Sequence, residues 1–289
     1  MLFFYLGKEE NVVMEQDMKE KVNVTGVPET MIQTLYARAK ETQKKNAKIK
    51  DDIAVDIVSR LDYDFSSADC DKAMGYGVIA RTIVLDDMVN EYLTAHPDAI
   101  VVNIACGMDT RCYRMKGKYF CWYNVDLPET MEIRQRFLKE DGPIYQIAKS
   151  AMDETYPEAI KYSGENVLVI VEGLSMYLKE ADIRQIFSII QKNFGHATVM
   201  IETMAPFAVQ HIKEKSIEGS NAKFTWGVKN GEELQRLIPD FTCEKEVSLV
   251  EGMKKIMPVY HVIGKIPMIR DISNKIVVMR EIAHASSRF

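Results

Sequence analysis

The 289-residue sequence predicts an α/β fold built on a doubly wound, mostly parallel sheet. Three observations carry that prediction. The first is residues 99–111, A-I-V-V-N-I-A-C-G-M-D-T-R, where a β-branched apolar run ends in a small-residue turn at Ala105-Cys106-Gly107. Strands buried on both faces read this way, because neither side of the pleat meets water. The second is another strand-like run about twenty residues on, Cys121-Trp122-Tyr123-Asn124-Val125, closed by Asp126. The third is the alternation of later apolar runs, at residues 166–171 and 197–203, with an amphipathic helical stretch at 180–193. A strand, a glycine-containing turn and an acid ending the next strand form the layout of a nucleoside site. Glycine lets backbone approach a ligand without a Cβ in the way. The acid can accept hydrogen bonds from both ribose hydroxyls.

Composition bounds the rest. A hydrophobic content of 47% over this length supports one large core, and one elaborated domain is expected over residues 1–289. No run is long enough to span a membrane, and Met1 to Leu6 is too short for a signal segment, so no membrane partner is expected. A net charge of −5 gives no general attraction to nucleic acid. The five cysteines (70, 106, 112, 121 and 243) are odd in number and contain no C-x-x-C pair, which predicts reduced thiols and a cytoplasmic protein. Metal ligation is not expected, since the histidines lie apart from one another and from the cysteines.

In chain order, residues 1–24 are weakly patterned and read as an N-terminal extension. Pro28-Glu29-Thr30 opens a helix with its body at 31–40, where Ile32, Leu35, Tyr36 and Ala39 share a face. Residues 40–50 form a basic linker whose lysines read as solvated. Asp51 or Asp52 caps a helix carrying Ile53, Ile57, Val58 and Leu61. A longer helix covers about 70–94, with Ile79, Ile83, Val84, Met88, Val89 and Leu93 at helical spacing. Gly75 and Gly77 weaken its start, and His96-Pro97 ends it. Strands follow at 100–105, 121–125, 144–148, 166–171, 197–203, 241–249 and 276–279, with helices at 128–139, 180–193 and 232–238. Residues 204–226 form no clean element. Residues 253–269 are mainly helical but broken by Pro258 and Pro267.

The segments I-A-C-G-M-D-T-R at 104–111, V-D-L-P-E at 125–129 and V-E-G-L-S-M-Y-L at 171–178 resemble the leucine carboxyl methyltransferase family. Within it, the similarity is to the branch of tetracenomycin-type polyketide O-methyltransferases, and it spans roughly residues 30–280. Three motifs in the right order make the resemblance specific for the family and say little about the substrate. It implies a class I methyltransferase fold: a Rossmann-like, seven-stranded sheet with helices on both faces and an antiparallel last strand. An N-terminal extension and helical lid would occupy 1–95. The core would occupy 96–289, with insertions after strands 5 and 6, near 204–230 and 250–272. It also implies S-adenosyl-L-methionine as the cofactor.

The site candidates follow from that resemblance. Family members carry a stretch similar to Tyr36-Ala37-Arg38-Ala39, which implies a lid over the cofactor pocket and makes Arg38 a substrate-binding candidate. From the residues alone, Arg38 is equally a solvated arginine on an amphipathic helix. A family arginine in the long helix pairs with the methionine carboxylate, which makes Arg81 the candidate here, since a guanidinium fork matches a carboxylate. A lone arginine on such a face otherwise snorkels to water. Ala105 stands where the family has the first glycine of G-x-G, and Gly107 is expected to line the methionine end. Asp126 is expected to hold the ribose, its other reading being a helix cap before Pro128. Met152 and Asp153 fit the roles of packing the adenine and accepting from its amine. Glu172 either accepts from the cofactor's ammonium or is held by Arg81 or Arg38. Asp109 and Arg111 can form a local ion pair. Tyr177 is the catalytic candidate at the mouth, or else a packed tyrosine. Tyr177 and Trp226 are candidate acceptor contacts.

Methyl transfer from a sulfonium is an in-line displacement, to which a protein contributes alignment and exclusion of water. A carboxylate acceptor needs no base at neutral pH, whereas a phenol or alcohol gains from one. The expected activity is S-adenosylmethionine-dependent methylation of a carboxyl or hydroxyl oxygen on a small, polyketide-like molecule. Three alternatives stand beside it. One is protein C-terminal carboxyl methylation. Another is a nicotinamide-dependent dehydrogenase, although A-C-G-M-D-T has glycine at only one position of G-x-G-x-x-G. The last is a non-catalytic cofactor-binding protein. Oligomeric state, a homo-oligomer included, is left open.

Overall fold

A computed structural model of the chain describes residues 19–21, 27–211 and 223–282. Most of the expected N-terminal extension and residues 212–222 of the expected first insertion lie outside the described residues.

Besides a two-residue parallel pairing of Glu20–Lys21 with Leu61–Asp62, the strands are β1 (Ile100–Ile104), β2 (Cys121–Asp126), β3 (Ile144–Ala148), β4 (Val167–Val171), β5 (Ala197–Thr203), β6 (Phe241–Ser248) and β7 (Lys275–Glu281). They form one seven-stranded sheet in the order β3-β2-β1-β4-β5-β7-β6. The first five strands run parallel, and β7 is antiparallel to both of its neighbours. Strand order reverses between β1 and β4, and a crevice opens there at the carboxyl ends of the strands. Around the sheet lie α1 (Val27–Thr42), α2 (Asp52–Arg60), α3 (Ser66–Cys70), α4 (Lys72–Ala95), α5 (Arg111–Arg114), α6 (Pro128–Phe137) and α7 (Glu180–Asn193). The later helices are α8 (Pro206–His211), α9 (Gly231–Leu237), α10 (Val250–Ile256), α11 (Tyr260–Ile263) and α12 (Pro267–Ile272).

Side-chain alternation divides the core into two layers. Ile100, Val102 and Ile104 of β1 pack in one cluster with Ile183, Ile186 and Ile190 of α7. Val101 faces the other way, into a cluster with Val84, Leu85, Met88 and Val89 of α4. Every residue of β1, β4 and β5 is buried, as in central strands covered on both faces, including the polar Asn103, Thr198, Glu202 and Thr203. Burying one of their aliphatic side chains contributes roughly 1.5–3 kcal/mol. A third cluster joins Met31, Ile32 and Leu35 of α1 with Ala54 and Ile57 of α2, and sets them on Met108 and Leu138. The N-terminal helices therefore sit over the turn that follows β1.

The structure sharpens the boundaries that the sequence predicts. The helix expected over 70–94 is α4, Lys72–Ala95, with the short α3 ending just before it. The Asp71 carboxylate accepts from Met74 N at 2.9 Å, a cap that stops α3 and starts α4. The stretch over 253–269 is broken into short helices as expected, α10, α11 and α12, with Pro267 in the first turn of α12, where its missing N–H costs nothing. Asp51, rather than Asp52, caps α2, accepting from Ala54 N at 3.1 Å. Among the described residues no helix is long and apolar enough to cross a membrane.

Candidate active site

The chain leaves β1 through a turn that two residues shape. Ala105 and Gly107 have φ of +52° and +48°, in the left-handed region. Glycine enters that region freely, whereas for alanine it costs about 1 kcal/mol. The turn is held from both sides. Gly107 N donates to Asp126 Oδ2 at 2.7 Å, which ties the turn to the end of β2. Arg134, fully buried on α6, donates from Nη1 to the carbonyls of Gly107 and Asp109, both at 2.8 Å. Leu127 N donates to the other Asp126 oxygen at 2.7 Å. Burial pushes the Asp126 carboxyl above its ordinary range, and those two backbone donors oppose the shift. A carboxylate oxygen carries two lone pairs, so each oxygen can still accept from a ligand hydroxyl.

Beside this turn lies a lattice of opposite charges. Arg111 is 1% exposed and contacts Asp86 Oδ1 at 2.6 Å, Asp109 Oδ2 at 2.7 Å and Glu172 Oε2 at 3.0 Å. Glu172, at the end of β4, meets Arg81 on its other oxygen at 2.6 Å. Arg81 in turn meets Glu202 at 3.1 Å. Burial alone would push the Glu172 carboxyl up. The guanidinium groups of Arg111 and Arg81 outweigh it and hold the carboxyl below the usual glutamate range. Asp109 behaves alike: desolvation is outweighed by Arg111 and Arg114.

Of these groups, Arg81, Asp109, Asp126, Glu172 and Glu202 line one end of a cavity of about 1040 Å³, and Arg111 holds Asp109 and Glu172 from behind. Arg81, Ala105, Gly107, Asp126, Met152, Glu172, Arg38 and Tyr177 all contribute to its wall. Thr30, Thr34 and Arg38, at helical spacing along one side of α1, form part of the cover. The opposite end is apolar, with Met176, Met204, Phe224, Val250, Met253 and Ile269. Tyr177 is also on the wall, its ring 5.4 Å from that of Phe224.

Two of the sequence candidates are placed otherwise. Asp153 is outside the cavity wall. Its carboxylate accepts from Thr155 N at 2.8 Å and from Thr155 Oγ1 at 2.6 Å, a local turn that satisfies it two residues on. Trp226 is buried in the main core cluster, where its large apolar ring is kept from water, and Phe224 takes the place at the wall. Arg38 is at the wall but not solvated. Its Nε donates to Asp51 at 2.9 Å and its Nη2 to the Met108 carbonyl at 2.7 Å, so it fastens α1 to the strand ends. Arg134 and Glu202 went unnoticed in the sequence. For Glu202 the signal was an acid closing a buried strand, as Asp126 and Glu172 do.

The profile of the family described as leucine carboxyl methyltransferase matches residues 31–191, more than half of the chain. This chain is a member of the leucine carboxyl methyltransferase family. Among its relatives is the tetracenomycin polyketide synthesis O-methyltransferase TcmP of Streptomyces glaucescens. The two are 30% identical over 237 residues, which cover 81% of this chain and 87% of the relative. The S-adenosyl-L-methionine-dependent methyltransferase dpfgK of Gibberella zeae is 27% identical, over 82% of this chain and 87% of its own. The fold is shared with a crystal structure from Thermobifida fusca assigned as a methyltransferase, with a TM-score of 0.59 at 10% identity, over 93% of this chain and 97% of that one. The chain is thus an S-adenosyl-L-methionine-dependent methyltransferase with the class I fold, as its motifs predicted. The dehydrogenase alternative falls with that membership.

Proposed function

We propose that this methyltransferase acts on a carboxyl or hydroxyl oxygen of a small, polyketide-like molecule, and that Arg81, Ala105, Gly107, Asp126, Met152 and Glu172 hold its cofactor. The observation that carries the proposal is the division of one cavity into a charged end at the tips of β1, β2 and β4 and an apolar end lined by Met176, Met204 and Phe224. Its volume of about 1040 Å³ is at or above the ceiling of the roughly 300–1,000 Å³ typical for one small ligand, which suits two molecules side by side.

The donor and acceptor set fits S-adenosylmethionine. Asp126 offers both oxygens to a vicinal diol. Arg81 and Glu172 offer opposite charges to a zwitterionic amino-acid tail. Met152, Leu127 and Ile186 supply apolar wall for a heterocycle, and the Ala105–Gly107 turn presents backbone. When bound, the cofactor supplies an electrophilic methyl on a sulfonium. The protein's own part is to orient and to exclude water. α1, fastened through Arg38, covers the charged end. Met176, Met204, Phe224 and Met253 keep the acceptor end dry. Tyr177 is positioned to orient the acceptor oxygen. A carboxyl acceptor is ionised at neutral pH and asks nothing more of it.

The acceptor class is supported by the polyketide O-methyltransferase among the relatives. A cytoplasmic setting belongs to the same proposal and suits five cysteines that form no disulfide. The deciding experiment is a panel of aromatic polyketide carboxylates, phenols and a peptide ending in leucine, with methylated product read by mass spectrometry. Product from the small molecules alone is expected. Product from the peptide alone would replace the proposal with protein carboxyl methylation.

A further inference from the structure

Glu202 is buried near the end of β5, with its side chain 2% exposed. Three elements converge on it. Gly173 N, in the turn after β4, donates to Oε2 at 2.9 Å. Arg81 Nη1, from α4, donates to the same oxygen at 3.1 Å. Asn274 Nδ2, just before β7, donates to Oε1 at 2.9 Å. The Glu202 backbone is tied to the same turn, since Ser175 Oγ donates to its carbonyl at 2.5 Å. Gly173 has φ of +67°, and a Cβ built on it would lie 3.4 Å from Arg81 Nη1. The turn and the guanidinium are therefore packed together, with Glu202 behind both.

Arg81 is thus gripped by two carboxylates of different standing. Glu172 is 14% exposed and lies at the cavity wall, and Arg111 holds its second oxygen at 3.0 Å. It can exchange Arg81 for an incoming cation and remain paired throughout. Among the described residues Glu202 has no second cation within ion-pair distance, and its other partners are the two neutral donors. If it released Arg81, a buried carboxylate would lose its one full countercharge, which is costly.

We propose that Glu202 is the positioning residue of the cofactor's amino-acid end: it keeps Arg81 and the Gly173 turn in place while Glu172 changes partner from Arg81 to the ammonium. This rests on the assignment of Arg81 and Glu172 to the methionine tail. Entry of the tail then creates no unpaired charge at any stage. Glu172 gains an ammonium as it yields the guanidinium, and Arg81 gains a carboxylate while still held by Glu202. Glu202 also reaches the cavity wall, but its carboxylate is occupied by Arg81, Gly173 N and Asn274, and it acts through Arg81.

The test compares two ligands that differ in the tail. S-adenosylhomocysteine has it, and 5′-methylthioadenosine carries the nucleoside without it. Calorimetry with Glu202→Gln is expected to show affinity for S-adenosylhomocysteine reduced about tenfold, the scale of one charged hydrogen bond, with 5′-methylthioadenosine held within about twofold of the native value. Asn274→Ala removes one donor to Glu202 and should shift the same ratio less, in the same direction. It decides the matter should Glu202→Gln not fold. Equal losses for both ligands would make Glu202 a scaffold residue only and overturn the proposal, as would no loss for either. A native chain that binds neither ligand would instead remove the cofactor-site assignment itself.

Discussion

The two ends of the cavity are built on opposite principles. At the charged end, Arg81, Arg111, Glu172 and Glu202 hold one another at 2.6–3.1 Å, so the site is set before any ligand arrives. At the apolar end, Met176, Met204 and Met253 line the wall, side chains that re-pack at little cost. The elements around them are the short helices α8 and α10 together with the end of β5. A fixed end suits a ligand that never varies, and an adaptable end suits an acceptor that differs from one family member to the next.

That contrast can be broken from either side. The largest effect is expected from Arg111→Met. It leaves Asp86, Asp109 and Glu172 without their shared cation, and removing one partner of a buried ion pair costs about 3–5 kcal/mol. Chemical denaturation should show that loss. A change within experimental error would mean the lattice is not holding the fold.

The apolar end has its own fixed point at Gly252 on α10. A Cβ there would lie 2.2 Å from the Ala80 carbonyl of α4, a backbone atom that cannot swing aside. Gly252→Ala should therefore push α10 outward and destabilise by about 1–3 kcal/mol. It should raise KM for the acceptor while S-adenosylhomocysteine binding is preserved. Equal effects on both ligands would mean that the two ends do not act separately. The smallest effect should be a gain. Ala105→Gly relieves the φ of +52° and should add about 1 kcal/mol to stability in the same denaturation assay.

The charged end was also the more legible in sequence. Gly107, Asp126 and Glu172 stand where strands end, and an apolar run followed by a turn or an acid marks such places without help from tertiary structure. The Asp109–Arg111 pair was local and is present at 2.7 Å. What the sequence hid was reach. Arg111 extends to Asp86 on another helix and to Glu172 on another strand, and Arg134 crosses to two carbonyls of the β1 turn. A buried arginine with distant partners looks like a surface arginine in sequence. Asp153 failed as a candidate because Thr155, two residues away, competes for it at short range. Trp226 failed because an aromatic residue in an unpatterned stretch gives no sign of which way it faces. The acceptor wall was least legible, since it is assembled from pieces of α10, α12 and the segments around residues 176, 204 and 224.

The central claim is that Asp126 grips the nucleoside through an ionised carboxylate, and calorimetry of S-adenosylhomocysteine across pH tests it most directly. Burial raises the Asp126 carboxyl, so the acceptor is lost by protonation at a higher pH than for an ordinary aspartate. Affinity should hold at neutral pH and fall as pH drops through that raised value. Asp126→Ala should bind at least about 100-fold more weakly at neutral pH, the scale of two charged hydrogen bonds, and lose the pH dependence. Undiminished binding by Asp126→Ala, with the same acid fall-off as the native chain, would contradict the account.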